Sequence, residues 1–482
     1  MWLRWLAVCV AALLCSHAFA GSATGNRVLV FAEEPSAYEG WVSSLSARGY
    51  SVGVQDASTE LEHAIYENGE RAFDHIALLA PAMKEFPAGL RPQQLVSFLQ
   101  DGGNMLVALS SELSEAWRAF AREFDLEFAQ RETLLVDHFG YDKSIDTGNH
   151  AAVQLGGASP YFARGGPLDV PVFREETRAA VNATPFVYRG VAHWLGPNPL
   201  AFSAIAPPLS AYETDVPQVS GAPGRWTAEG IDAIEPLYEA RAPLVGADVY
   251  SSDATASLAS ALQLRDNSAR ATFIGSTEVF AGLYKGDVQC KVIDELVGWT
   301  FQERGVLRVE RTAHERIAAD EADVRPEYEE EPGAAHMYRI KDNVRFSIDL
   351  AAFEDEWKAA PRDLDLQVSV VMLDAYVTEP LVATTETVDG ERPVTRYEAT
   401  IQLPDRHGVF SFKVNWKRHG LTYVVTSDTA PVRPFNHDEY PRMLSSSWPY
   451  VAGAFSTMAA FVAFVALWLS MPSPSGAKSK SA

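Results

Sequence analysis

The densest chemistry in the chain lies in one short stretch, where Asp137, His138, Tyr141, Asp142, Asp146 and His150 follow one another closely. Imidazoles and carboxylates can ligate a divalent cation, but this spacing matches neither the zinc nor the calcium patterns. The stretch therefore reads as a polar loop at a domain or subunit surface. Ser110 and Ser111 follow the apolar run Met105 to Leu109, where a nucleophile at a strand end could sit. The glycines that let a G-x-S-x-G turn form are missing, and Ser111 is expected to cap the next helix instead. The first apolar run, Arg27 to Ala32, leads into Glu33-Glu34-Pro35 without a Gly-rich loop. Two acids there repel a phosphate, which argues against a nucleotide site. His314 and His407 stand alone near strands and suit hydrogen-bonded structural roles. No catalytic constellation, cofactor-binding motif or metal-ligand set emerges.

The elements around these residues alternate in type. Arg27 to Ala32, Ser51 to Val54, His75 to Ala80 and Met105 to Leu109 read as short strands. Helical patterns run from Ala37 to Arg48, from Pro92 to the Gly102-Gly103 stop, and from Glu112 to Phe124. Strands separated by helices imply right-handed βαβ units and a parallel sheet covered on both faces. Pro and Gly residues and short extended runs fill the stretch from 134 to 250. Ala271 to Gly275 and the helix Cys290 to Phe301 are expected to complete the first sheet. Cys290 falls in the apolar pattern Val288 to Trp299 and is expected to be a buried structural thiol.

After Gly305 the pattern turns to β. Val306 to Val309 opens it, and an acidic linker follows at Glu327 to Glu331. Val344 to Leu350, Leu366 to Val370 and Tyr397 to Leu403 alternate apolar and polar residues with period two. Val409 to Asn415 and Leu421 to Thr426 form a hairpin across Lys417 to Gly420. The set predicts a β-sandwich. The expected fold is thus α/β: an N-terminal parallel-sheet (Rossmann/flavodoxin-like) domain, a membrane-proximal β-sandwich, and one C-terminal transmembrane helix. The expected boundaries are a signal peptide at 1–20, a lumenal α/β domain at 21–303 with a β-rich insertion at about 134–250, and a lumenal sandwich at 304–446. A transmembrane helix at 448–471 and a cytosolic tail at 472–482 complete the chain.

The two ends supply the membrane reading. Arg4, the apolar run Leu6 to Leu14 and Ala18-Phe19-Ala20 have the layout of a cleaved secretory signal. Tyr450 to Met471 holds no charged residue, and its length of roughly 33 Å as a helix crosses a bilayer core. Trp448, Tyr450 and Trp468 suit the headgroup regions. Small residues at Ala452, Ser456, Ala459, Ala463, Ala466 and Ser470 recur four and three apart, lining one helix face where a second helix can approach closely. Bulky Phe461, Phe464, Leu467 and Trp468 are expected away from that seam. Lys478 and Lys480, fifth and third from the end, resemble a K-x-K-x-x retrieval signal of endoplasmic reticulum membrane proteins. Asn182-Ala183-Thr184 is a sequon for N-glycosylation in a lumenal chain.

Composition agrees. The formal net charge is −23, which disfavours nucleic-acid binding because that needs a basic face. Of three cysteines, Cys9 and Cys15 leave with the signal, so Cys290 has no partner and hydrophobic cores must hold the fold.

A set of words, in order from about Arg27 to Phe464, resembles a known family. Asp101-Gly102-Gly103-Asn104, Asp137-His138 with Tyr141-Asp142, Arg189-Gly190-Val191, Asn267 with Ala269-Arg270, and Gly275-Ser276 come first. Trp299-Thr300-Phe301 with Gly305-Val306-Leu307-Arg308-Val309 and His314 follow. Leu403-Pro404-Asp405, Gly408-Val409-Phe410, Phe412-Lys413-Val414, Val432-Arg433-Pro434, His437, Tyr440, Trp448-Pro449-Tyr450 and Ala454-Phe455-Ser456 complete it. Together they resemble the DDOST family, the single-pass subunit of the oligosaccharyltransferase complex. Ala375-Tyr376-Val377 departs from the family's more proline- and arginine-rich stretch. The resemblance implies an accessory, structural role, with no cofactor, in transfer of a lipid-linked oligosaccharide to asparagine. Catalysis then belongs to a multi-spanning partner subunit, alongside ribophorin-type and small membrane subunits. A lumenal glycan-binding membrane protein and an independent α/β hydrolase-like enzyme are the alternative readings.

Overall fold

The computed structural model describes residues 21–471 apart from 60–63, 130, 147, 158–171, 209, 216–234, 237–254, 282–285, 319–336, 390–391 and 441–444. The expected signal peptide, the acidic linker at Glu327 to Glu331, and the tail with Lys478 and Lys480 lie outside the described residues.

The first unit is built on a seven-stranded sheet. Its strands are β1 (Arg27–Ala32), β2 (Ser51–Asp56), β3 (His75–Leu79), β4 (Asn104–Ala108), β5 (Ala201–Ile205), β6 (Ala259–Gln263) and β7 (Arg270–Ile274). They lie side by side in the order β5-β6-β7-β4-β3-β1-β2. The five from β7 to β2 are parallel, and β6 and β5 add an antiparallel edge. The order reverses between β1 and β3, the switch point of a doubly wound sheet.

The central strands are apolar on both faces because helices cover both. Val28, Val30, Ala77, Leu79, Leu106 and Ala108 face a core shared with α1 (Glu39–Ala47) and the long helix Asp287–Thr300. Their neighbours Leu29, Phe31, Ile76, Leu78, Met105 and Val107 face a second core with α2 (Pro92–Gln100) and α3 (Glu115–Arg122). Period-two alternation between two hydrophobic cores is why these strands read as unbroken apolar runs. Short strands between α3 and β6 form small antiparallel sheets, and α4 (Glu175–Ala183) packs against Asp287–Thr300, here α5.

Two expectations change. The third helix starts at Glu115, with Ser114 in the N-cap position, and not at Ser111. The Ser114 hydroxyl is spent on the Met83 carbonyl at 2.6 Å, so it anchors a loop and caps nothing. Cys290 is exposed. The buried stripe of α5 runs through Gln289, Val292, Ile293, Leu296 and Thr300, and Cys290 falls about 100° off it, on the solvent side.

The second unit is a sandwich of two sheets. One pairs Val306–Ile317, Asn343–Glu354, Arg392–Gln402 and Val382–Asp389, with Glu356–Ala359 beside the second strand. The other pairs Tyr338–Arg339, Val424–Arg433, Gly408–Trp416, Gln367–Met372 and Asp374–Pro380. Val344, Phe346, Ile348 and Leu350 point inward from one sheet and Phe410, Phe412, Val414 and Trp416 from the other, sharing one core. The expected hairpin is present, but its second strand begins at Val424. Leu421 and Thr422 bond the joint instead, through the Leu421 carbonyl to Gln263 of the first unit and the Thr422 N–H to the Gly305 carbonyl. A helix of 23 residues, α6 (Trp448–Ser470), follows.

Candidate functional site

The residues singled out for chemistry are mostly occupied. Beyond β4, Ser110 Oγ accepts the Glu112 N–H at 3.2 Å, and the Ser111 carbonyl accepts the Glu132 N–H. At the switch point Glu33 is half-buried, and burial raises its pKa against the backbone N–H groups of Ala82 and Met83. Glu34 and Glu112 add further negative potential to it, so the crevice is unsuited to an anion.

The polar loop is self-consistent in the same way. Asp137 accepts from Phe139 N–H and Ser210, Asp142 from Ser144, and Asp146 from the N–H groups of Gly148, His150 and Ala151. His138 contacts both His150 and the Tyr212 hydroxyl, while Tyr141 stacks on His150 with centroids 4.0 Å apart. Burial, and secondarily His150, pushes the His138 pKa down. The carboxylates hold turns, and no group of three or more His, Cys, Asp or Glu is placed to hold a metal among the described residues.

The most constructed place in the molecule is the joint between the two units. Arg270, at the start of β7, is wholly buried. Its Nη1 donates to the carbonyls of Trp299 and Arg304 at 2.7 Å, its Nη2 to Gly305 at 2.7 Å, and its Nε to Gln263 Oε1 at 3.1 Å. The guanidinium lies over the Trp299 ring, 4.5 Å from its centroid. Burial lowers its pKa to about 9, which leaves it cationic at neutral pH. The Trp299 carbonyl lies in the last turn of α5 and those of Arg304 and Gly305 in the turn that follows it, and Trp299 also accepts the Gln302 N–H and Gly305 the Thr422 N–H. The planar fork of arginine meets several at once. Trp299 Nε1 then reaches across to the Gly420 carbonyl at 2.8 Å. Gly305 has φ +66°, and a Cβ there would stand 2.6 Å from the same carbonyl, so only glycine closes this contact.

Behind Arg270 stands Asn104, fully buried. Its Oδ1 accepts the Arg270 N–H at 2.9 Å and Gln302 Nε2 at 3.2 Å, and its Nδ2 donates to Thr24 and toward His75 Nδ1. His75 Nε2 therefore carries the proton and donates to the Gly25 carbonyl. Complete burial lowers the His75 pKa to about 4, so the ring is neutral, stacked on Phe301. A second close approach brings Gly190 and Gly275 together, where a Cβ on either would fall about 2 Å from a backbone carbonyl. Words far apart in the sequence are thus neighbours in space: Asn104, Ala269-Arg270, Trp299 to Phe301 and Gly305 at the joint, and Gly190-Val191 against Gly275. Sequence reasoning quoted these residues without a role. An arginine at a strand start beside apolar neighbours was the available signal.

The remaining candidates stand apart from the joint. Asn182 is exposed in the last turn of α4, with Thr184 just beyond it. On α6, Ala452, Ser456, Ala459, Ala463, Ala466 and Ser470 share one face at about 100° per residue, and all are exposed. Ser456 and Ser470 donate to the carbonyls of Gly453 and Leu467 at 2.8 Å, so their hydroxyls are satisfied within the helix. Leu467 lies about 60° from the seam's midline, on its flank, whereas Phe461 is opposite.

Fold and surface together define a class: a protein with one helix, among the described residues, long and apolar enough to cross a membrane, and with an α/β unit and β-sandwich locked by a buried arginine. Family models for the OST48 N-terminal domain and the OST48 middle domain match residues 19–303 and 324–472, and the chain belongs to this family. It is 30% identical over 480 residues, 96% of each chain, to the dolichyl-diphosphooligosaccharide–protein glycosyltransferase subunit wbp1 of Schizosaccharomyces pombe. It is also similar to the 48 kDa subunits of the same enzyme from Caenorhabditis elegans, at 27% identity over 97% of this chain and 96% of that one, and Arabidopsis thaliana, at 25% over 92% and 93%.

Proposed function

We infer that this chain is an accessory, structural subunit of the endoplasmic reticulum oligosaccharyltransferase, supporting transfer of oligosaccharide from dolichyl diphosphate to asparagine in N-x-S/T sequons. The observation that carries the reading is end-to-end similarity to a named subunit of that enzyme, at 30% identity over 96% of both chains. The α/β unit and sandwich face the lumen, α6 crosses the membrane, and the seam on α6 packs against a helix of another subunit. Catalysis belongs to a multi-spanning partner, with ribophorin-type and small membrane subunits completing the assembly. The joint supports a scaffolding role, because it fixes two large surfaces at one angle. The Lys478/Lys480 tail returns the chain to the compartment where its partners reside.

Affinity purification of the tagged full chain from detergent-solubilised microsomes, with mass spectrometry, tests this. The catalytic subunit should co-purify, and depletion of the chain should lower sequon occupancy on many secreted proteins. Purified complex lacking the chain, or unchanged occupancy after complete depletion, refutes it. Lys478→Ala with Lys480→Ala should shift the unassembled chain toward later secretory compartments by fluorescence microscopy.

A further inference from the structure

Residues 21–26, between the expected signal cleavage site and β1, are built into the joint. Ser22 is 3% exposed, the Ala23 N–H donates to the Gln302 carbonyl at 3.1 Å, and Thr24 Oγ1 accepts from Asn104 at 3.2 Å. Gly21 is fitted more closely still. A Cβ there would stand 2.9 Å from the Arg48 carbonyl and 3.2 Å from the Tyr50 ring, so no side chain has room. The Gly21 carbonyl lies 3.3 Å from the Tyr50 hydroxyl, and that hydroxyl donates to Glu303 Oε1 at 2.7 Å.

Glu303 is an unusual neighbour. It is 7% exposed and sits just past the C-terminus of α5, where the helix dipole disfavours negative charge. Its Oε2 rests against Gly298, where a Cβ would be 2.8 Å away. Arg48 Nη1 reaches it at 3.3 Å and also lies 3.4 Å from the Asp294 carbonyl. A buried carboxylate in such a field is stabilised by further positive charge. The nitrogen of Gly21 is only about 3 Å from its own carbonyl oxygen, and that oxygen is linked to the Glu303 carboxylate through the Tyr50 hydroxyl.

We propose that hydrolysis of the Ala20–Gly21 peptide bond by the signal-cleaving protease leaves an α-ammonium on Gly21 that the Glu303 carboxylate binds. Water supplies the hydroxyl to the Ala20 acyl carbon and a proton to the Gly21 nitrogen, and the new Ala20 carboxylic acid ionises as the amine takes up a second proton to become the ammonium. The processed N-terminus then fastens the segment before β1 to Glu303, whose backbone carbonyl accepts the Asp355 N–H of the sandwich.

The test uses the full chain translated into microsomes, with its N-terminus read by mass spectrometry and its ectodomain challenged by protease after permeabilisation. Three changes are compared with the parent: Ala18→Leu with Ala20→Leu to block cleavage, insertion of Ser-Gly between Ala20 and Gly21, and Glu303→Gln. The insertion leaves cleavage intact but moves the amine by about 7 Å of chain. Each change should speed ectodomain digestion about tenfold, the scale of one charge-assisted hydrogen bond. Glu303→Gln also weakens the Arg48 pair, so adding the insertion to it should have little further effect, the ammonium contact being already lost. A mature N-terminus other than Gly21, an insertion variant as resistant as the parent, or effects that multiply would each overturn the proposal.

Discussion

Replacing Arg270 with methionine is the sharpest test of the joint. The methionine keeps most of the aliphatic stem while deleting every guanidinium donor. Three carbonyls, of Trp299, Arg304 and Gly305, lose 2.7 Å bonds, and Gln263 Oε1 loses one at 3.1 Å. The Trp299 and Gly305 carbonyls keep the N–H groups of Gln302 and Thr422, whereas the Arg304 carbonyl and Gln263 Oε1 lose the donor described for them, at about 1–3 kcal/mol for each buried acceptor. Loss of the stacking on Trp299 adds about 1 kcal/mol. Burying a guanidinium is itself costly, which offsets part of the sum. The net destabilisation should be at least about 3 kcal/mol. At about 2–4 °C per kcal/mol for units of 150–250 residues, the unfolding midpoint falls by roughly 6 °C or more. Arg270→Lys should recover only part of this, because an ammonium cannot span acceptors set around a planar fork. The assay is thermal unfolding of the detergent-solubilised full chain, with protease sensitivity near Gly305 as a local readout. A midpoint within about 1 °C of the parent for Arg270→Met refutes the reasoning, since it would mean those carbonyls find water or other donors at no cost.

Three further outcomes are expected. His75 and His193 are wholly buried, and burial lowers their pKa values to about 4 and about 3. Below about pH 6.5 the unfolded chain binds protons that these rings refuse, so stability should fall as pH drops toward 4, by on the order of 3 kcal/mol per ring. Urea midpoints at pH 7 and pH 4.5 measure it, and a flat profile contradicts the neutral-imidazole reading. Because Asn182 is exposed at a helix end, the chain from microsomes should lose one glycan's mass on treatment with a peptide N-glycosidase, and Asn182→Gln should abolish that shift. Ala459→Leu with Ala463→Leu should loosen assembly in native gels without preventing membrane insertion; an intact complex argues against a packing seam.

Much of the architecture was readable because it follows from periodicity. Unbroken apolar runs at Arg27–Ala32 and His75–Leu79 mark strands buried on both faces, and the alternation in Asn343–Glu354 marks a sheet with one wet face. Three readings failed where a local rule met a tertiary one. Ser111 had the sequence position of a cap, but the helix starts three residues later, where Ser114 is pulled to the Met83 carbonyl. Cys290 lay in an apolar stretch whose inward stripe passes it by. The hairpin strand expected at Leu421 begins at Val424, because Leu421 and Thr422 are drawn into the joint.

By itself the sequence determined the two kinds of sheet, their approximate limits and the apolar C-terminal helix. Each depends on neighbours a few residues away, through side-chain alternation or a continuous run long enough to cross a bilayer. Only the tertiary structure decided what Asn104, Arg270, Trp299, Gly305 and Gly420 are for. The bonded pair Asn104–Arg270 is separated by 166 residues, and the roles of all five exist only as mutual contacts. A buried cation among convergent backbone carbonyls, with glycines where two backbones touch, has no periodicity to betray it. Its physical reason is the turn by which the chain leaves α5, where the carbonyls of Trp299, Arg304 and Gly305 converge on the one guanidinium that the fold brings to them.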